Sequence, residues 1–300
     1  MITSRGVQQH QARDHSHARR IPPHFLIGIV LVAIAWPLAW AGPAPYSRYT
    51  FFPLWLGYIL VADGLTVHRS GTSLLVRDRL RFALLFAFSI PLWWLFEYAN
   101  EFLQNWHYRG ASRYSPVAYA ALASLAFSTV MPAMFVTAEL YRTFGYFSRE
   151  RRWIRIAPSR GGLLVIGAFG LALFVGSLTF PNVLFPFVWI GLFLLLDVIN
   201  ALTGGKSLAE QVARGQWDTV LVLFAAGLTC GFFWEMWNFW SLPKWIYEVP
   251  FVSEPKLFEM PLLGYGGYLP FALEVYAAYH LMHTLLFRRR DTYLRFDEPH

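Results

Sequence analysis

Long apolar stretches separated by short polar ones dominate the chain, at residues 24–41, 51–67, 82–103, 117–141, 161–180, 183–203, 219–240 and 262–287. A helix rising 1.5 Å per residue needs about 20 mostly apolar residues to cross a bilayer. The pattern therefore predicts an all-α polytopic membrane protein with about eight transmembrane helices. The stretch at 51–67 is the shortest, and the opening GYGGYLP of the last is the least helix-like. The first 20 residues are polar and rich in Gln, His and Arg, and read as a disordered cytoplasmic tail running to residue 23. The apolar run that follows is long enough to remain as a helix rather than be cleaved as a signal.

The same pattern repeats along the chain, a feature worth seeking before any other. FFPLWLGYILVADG at 51–64 aligns with LFPFVWIGLFLLLDV at 184–198 after a one-residue gap, matching Gly57 with Gly191 and Asp63 with Asp197. WLFEYAN at 94–100 lies over FFWEMWN at 232–238, which pairs Glu97 with Glu235 and Asn100 with Asn238. NWHY at 105–108 then parallels KWIY at 244–247, and Glu139-Leu140-Tyr141 resembles Glu274-Val275-Tyr276. The predicted organisation is two tandem four-helix repeats, 24–141 and 161–287, joined by a basic cytoplasmic linker at 142–160 and followed by a cytoplasmic tail at 288–300. With an even number of spans per half, the two halves share one orientation.

Charge supports the span count. Cytoplasmic loops are enriched in Lys and Arg, and eight spans with an inside N-terminus place all but five of the 25 basic residues inside. The exceptions are Arg48, Arg109, Arg113, Lys244 and Lys256. The location implied is the cytoplasmic membrane with both termini in the cytoplasm. The net charge of +7 is spread over every inside loop, which suits anionic lipid headgroups and argues against nucleic acid, whose binding needs one basic face. Composition agrees: 56% of residues are hydrophobic and only 14% charged, whereas soluble domains run to about a quarter charged. The lone Cys230 excludes an intrachain disulfide and a cysteine metal site.

Carboxylates inside the bilayer are costly and usually functional. Asp63, Glu97, Glu101, Glu139, Asp197, Glu235 and Glu274 all fall in or near the apolar stretches. Glu235 and Glu274 are the leading candidates for acid and base, with Asn238 as an orienting amide on the Glu235 face and with Glu97 and Asp197 secondary. Trp234, Trp237, Tyr247, Tyr276, Trp94, Asn100 and Asp63 are the candidate substrate contacts. Aromatic faces attract cations, so a protonating acid among them can generate and hold a carbocation. Trp106, Trp217 and Trp245 read instead as an interfacial belt. The apolar outer segment 241–264 reads equally as a lid or as an interfacial anchor. His280 and His283, one turn apart, read as interfacial hydrogen-bonding groups rather than haem ligands. GGKS at 204–207 lacks the spacing of a phosphate loop. No metal or cofactor is expected, and the oligomeric state is not legible.

On these residues each half resembles the integral-membrane lycopene cyclase domain family, whose pattern is an acid in one helix, a Trp and an aromatic in the next loop, then Pro and Glu. The matching positions are Glu235, Trp245, Tyr247, Pro270 and Glu274 in the second half, and Glu97, Trp106, Tyr108, Pro132 and Glu139 in the first. The resemblance implies acid–base chemistry on an isoprenoid or carotenoid-type lipid, of the cyclase, isomerase or hydratase kind. Two other readings of the same acids are a proton-coupled or cation transporter and a non-catalytic membrane assembly protein.

Overall fold

The computed structural model describes residues 21–43, 45–147 and 153–297. The predicted tail at 1–20, residues 148–152 of the linker and residues 298–300 lie outside the described residues. In chain order the helices are α1 (Pro23–Ala41), α2 (Phe51–Ser70), α3 (Leu74–Arg77), α4 (Arg79–Leu103), α5 (Pro116–Phe127), α6 (Val130–Arg142), α7 (Arg160–Thr179), α8 (Pro181–Leu184), α9 (Phe187–Thr203), α10 (Leu208–Ala213), α11 (Asp218–Phe239) and α12 (Tyr268–Phe287). Six segments are long and apolar enough to cross a membrane: α1, α2, α4, α5 with α6 taken together, α7 and α11. Helix α9 is apolar but has 17 residues. Helix α12 has 20 residues but carries Glu274, His280 and His283, and it is not among the six. The expected unwinding before it is a 3-10 turn over Leu262–Gly267.

Two close helix crossings frame the molecule. A Cβ on Gly57 would come within 2.9 Å of the Gly28 carbonyl oxygen, and one on Gly191 within 2.8 Å of the Gly170 carbonyl oxygen. Helices α1 and α2, and again α7 and α9, therefore touch backbone to backbone, which only glycine permits. The two glycines matched in the sequence occupy the same kind of crossing.

Short strands join the halves. β1 (Trp106–Arg109) follows α4, β2 (Lys244–Tyr247) follows α11, and the two pair antiparallel with Trp106 opposite Tyr247 and Tyr108 opposite Trp245. A second hairpin pairs β3 (Lys256–Leu257) with β4 (Met260–Pro261) within the segment 241–264. We call this the strand end of the bundle.

At the opposite end the chain packs back onto the bundle. Residues 291–297 run back under the bundle, burying Tyr293, Leu294 and Phe296 to 1% exposure or less. Arg77 makes a bidentate pair with Glu139 at 3.2 and 3.1 Å and also donates to the Tyr293 carbonyl. The Tyr293 hydroxyl donates to the Leu74 carbonyl at 2.7 Å, and the Arg295 amide to Glu139 at 3.0 Å. Lys206 and Asp297 form a further ion pair at 2.9 Å. Glu139 is buried in this network. Apolar side chains alternating with charges in DTYLRFD give the tail something to bury and something to bond.

Candidate functional site

Two carboxylate centres, one half-buried and one fully buried, sit side by side at the strand end. On α4, Glu97 accepts at one oxygen from the Tyr108 hydroxyl (2.5 Å), the Trp93 indole (2.9 Å) and the Trp106 indole (3.3 Å). On α11, Glu235 accepts at Oε1 from the Tyr268 hydroxyl (2.6 Å), the Tyr247 hydroxyl (2.8 Å) and the Trp245 indole (3.4 Å). In each case the strand after the helix supplies one Trp and one Tyr. Because β1 and β2 pair, the two centres are held across one strand ladder. Burial first, and then the adjacent Glu97 carboxyl, pushes the Tyr108 hydroxyl well above its usual range; burial and then Glu235 do the same to Tyr247. Both phenols therefore remain hydrogen-bond donors.

An amide clamps each strand in place. Asn100 donates to the Trp106 carbonyl at 2.8 Å and accepts from the Asn105 and Trp106 amides at 3.0 and 3.3 Å. Asn238 donates to the Trp245 carbonyl at 2.8 Å and accepts from the Trp245 amide at 2.9 Å. This corrects the expected role of Asn238 as a partner of Glu235: both faces of its amide are occupied by the strand backbone. Asn100 is likewise a clamp and not a substrate contact.

Between the centres lies a cavity of about 470 Å³ lined by both halves. Its wall includes Trp93, Trp106, Trp189, Trp234 and Trp245 with Tyr108, Tyr247, Tyr268 and Phe271. The donors to both carboxylates thus face the cavity, with the carboxylates behind them. Helix α5 contributes Tyr119, Leu122, Ala123 and Ala126, and the segment 241–264 contributes Val249, Val252, Met260 and Leu263. That segment is tied down by an ion pair between Lys244 and Glu259, while Phe251 and Leu263 remain 88% and 78% exposed. It lines the cavity and presents apolar side chains outward at once.

The remaining sequence candidates disperse. Trp234 lines the cavity and stacks on Tyr268 with centroids 6.0 Å apart. Trp237 is buried away from the wall among Trp36, Trp55 and Phe233. Trp94 donates to the Ser124 hydroxyl and packs on Phe127, holding α5 to α4. Tyr276 lies near the tail end, donating to Asp297 and accepting from Gln211. Asp197 accepts the Leu208 and Ala209 amides at the start of α10, at 2.7 and 2.8 Å. Asp63 accepts the Ser73 hydroxyl and the Leu75 amide at the start of α3 and meets His24 at 3.1 Å. Both aspartates therefore anchor the turn after their own helix. Glu274 is fully buried with neither oxygen hydrogen-bonded and is not on the cavity wall. Glu101 is exposed.

Trp106 and Trp245, read from sequence as belt residues, are donors in the two centres. Trp189 and Tyr268 were not singled out. Tyr268 sits in the GYGGYLP stretch that breaks the helical pattern, and that break is the signal that could have marked it. Among the described residues no cluster of three or more His, Cys, Asp or Glu side chains is placed to hold a metal ion. No known protein family, curated protein or solved structure matches this chain.

Proposed function

We propose that this is an eight-span membrane enzyme, built from two tandem four-helix repeats, that binds an isoprenoid-type lipid in the strand-end cavity and protonates one of its double bonds. The single observation that carries the reading is an aromatic cavity whose wall presents the hydroxyl and indole donors to Glu97 and Glu235. Its volume lies within the range of about 300–1,000 Å³ that holds small ligands. Matched Gly crossings, Asn clamps and Trp–Tyr strands in both halves support duplication. The even span count and the basic loops support cytoplasmic termini, with the cavity toward the outer leaflet.

Glu235 is the acid. Its Oε1 is held by three donors while Oε2 has no partner, so a proton placed on Oε2 is not committed to another bond. Tyr247 and Tyr268 bridge Glu235 to the cavity: one hydroxyl gives its proton to the alkene carbon and takes the carboxyl proton of Glu235 in its place, which leaves the negative charge on the carboxylate. The tertiary cation that forms lies among aromatic faces, each worth about 0.5–2 kcal/mol to a cation. Loss of a proton from a neighbouring carbon to Glu97 or back to Glu235 regenerates an alkene, so the step balances as an isomerisation or as the start of a cyclisation. The resemblance of each half to the lycopene cyclase domain points to the same chemistry.

The test is isotopic. In D₂O the purified protein will transfer deuterium into an added isoprenoid alkene, and Glu235→Gln will lose about 10²–10⁴-fold of that rate. Equal incorporation by the variant contradicts the assignment. A proton-coupled carrier is the second reading, favoured by Glu274, whose fully buried carboxyl has no hydrogen bond. That reading predicts solute movement across vesicles without chemical change, lost in Glu274→Gln.

A further inference from the structure

The wall of the cavity holds three polar groups that nothing in the protein satisfies. Arg48, on the 3-10 turn Tyr46–Tyr49, lines the cavity and has no ion-pair or side-chain hydrogen-bond partner among the described residues. The Tyr114 hydroxyl is buried without a partner, and so is the side-chain oxygen of Asn105, a residue 8% exposed. Both also line the cavity. Arg48 and Tyr114 are neighbours: burial pushes the Tyr114 hydroxyl up, and the Arg48 charge opposes that shift.

A buried hydroxyl left unpaired costs about 1–3 kcal/mol, and a guanidinium with no carboxylate nearby retains all five donors for a ligand. Apart from Ser47, Thr50 and two glycines, the rest of the wall is aromatic or aliphatic, and the two carboxylates lie behind donors that already bond to them. The polar side of the cavity is therefore cationic and donor-rich, and the interior is apolar. Asn105 adds an amide that accepts from a protonated oxygen as it stands, or donates if turned over.

We infer that the cavity takes an anionic amphiphile, with a phosphate head held by Arg48, Tyr114 and Asn105 and a hydrocarbon chain between the aromatic walls. Arginine matches phosphate geometry, and a tyrosine hydroxyl completes the donor set. The inference rests on the cavity being a lipid site, as proposed above, and adds the charge of the head. An isoprenyl phosphate and a glycerophospholipid share this chemistry.

Titration calorimetry of the full chain in an uncharged detergent tests it with four probes: farnesyl phosphate, farnesol, dihexanoyl phosphatidate and dodecyltrimethylammonium. Farnesyl phosphate should bind at least about tenfold tighter than farnesol or the ammonium, the scale of one charge-assisted contact. Arg48→Gln should remove that preference without changing farnesol binding or the unfolding temperature, Tyr114→Phe should reduce it, and Arg48→Lys should retain part of it. Equal binding of farnesol and farnesyl phosphate, or a preference that survives in Arg48→Gln, overturns the anionic head and leaves the isoprenoid site standing. A phosphatidate that binds tighter than farnesyl phosphate supports the phosphate head and overturns the isoprenoid chain. No binding of any probe overturns both readings.

Discussion

The two carboxylate centres share a plan and differ in their enclosure. Each Glu is met by a Trp and a Tyr from the strand that follows its helix, but the third donor to Glu97 is Trp93 of its own helix, whereas the third donor to Glu235 is Tyr268 at the start of α12. Glu97 is half-buried and Glu235 is fully buried. The second centre is closed by a distant helix and by the segment 241–264; the first is closed mainly by itself and by the alanine-rich α5. A fully enclosed carboxyl with one uncommitted oxygen suits proton transfer, and a partly exposed one suits support. A second contrast lies deeper, where the sequence matches Glu139 with Glu274. Glu139 is paired with Arg77, but Glu274 has no hydrogen bond at all.

If the enclosed centre does the chemistry, Glu235→Gln will cost about a thousandfold in deuterium incorporation and Glu97→Gln about tenfold, the span expected between a positioned acid and a supporting group. Reversed values would exchange the two roles. The Glu139–Glu274 contrast concerns stability. Glu139→Gln leaves Arg77 charged and buried, and should destabilise by about 3–5 kcal/mol in detergent unfolding. Glu274→Leu removes an unsatisfied buried group and should be neutral or stabilising. Equal losses at the two positions would show that Glu274 has a partner in the folded protein.

Smaller effects separate the clamps. Asn100 makes three strand contacts and Asn238 two, so Asn100→Ala should cost more than Asn238→Ala, each within about 1–3 kcal/mol. The smallest effect is a pH dependence at the tail end. Burial alone would raise the Asp297 carboxyl, but the His280 imidazole 3.5 Å away and the charge of Lys206 outweigh it and hold it below the usual carboxylate range. The unfolded chain therefore binds this proton more readily than the folded one. The stabilisation is fully present above about pH 4 and is lost as pH falls through the lower folded value. Unfolding temperatures of Asp297→Asn should lack that acid-side decline; an unchanged decline would assign it to other groups.

Apolar runs located the helices, and the matched residues Glu97, Asn100, Glu235 and Asn238 were legible because the same local pattern recurs in the sequence. What those residues touch was not. β1 and β2 are four residues each and find their partner across the other half of the chain, so no local periodicity announces them. The amide of Asn238 shares a helix face with Glu235, which suggests a polar pair, yet the backbone emerging from the helix claims it first, as it does the amide of Asn100. Asp197 and Asp63 looked like intramembrane acids because hydropathy does not reveal that a chain turns back within three or four residues to present its amides. That the tail at 291–297 packs on the bundle is not legible, because four Arg residues near it outweigh three apolar side chains in any average. Arg48 and Tyr114 gave no signal, since a vacant partner is visible only in three dimensions.

The central claim is that the strand-end cavity holds an isoprenoid lipid, and lipid extraction with native mass spectrometry of gently purified protein tests it most directly. The wild-type chain should carry a bound isoprenoid, and Ala123→Trp, which fills the cavity from the thinly packed α5, should not. A wild-type protein free of isoprenoid, or a filled variant that still carries it, would contradict the account.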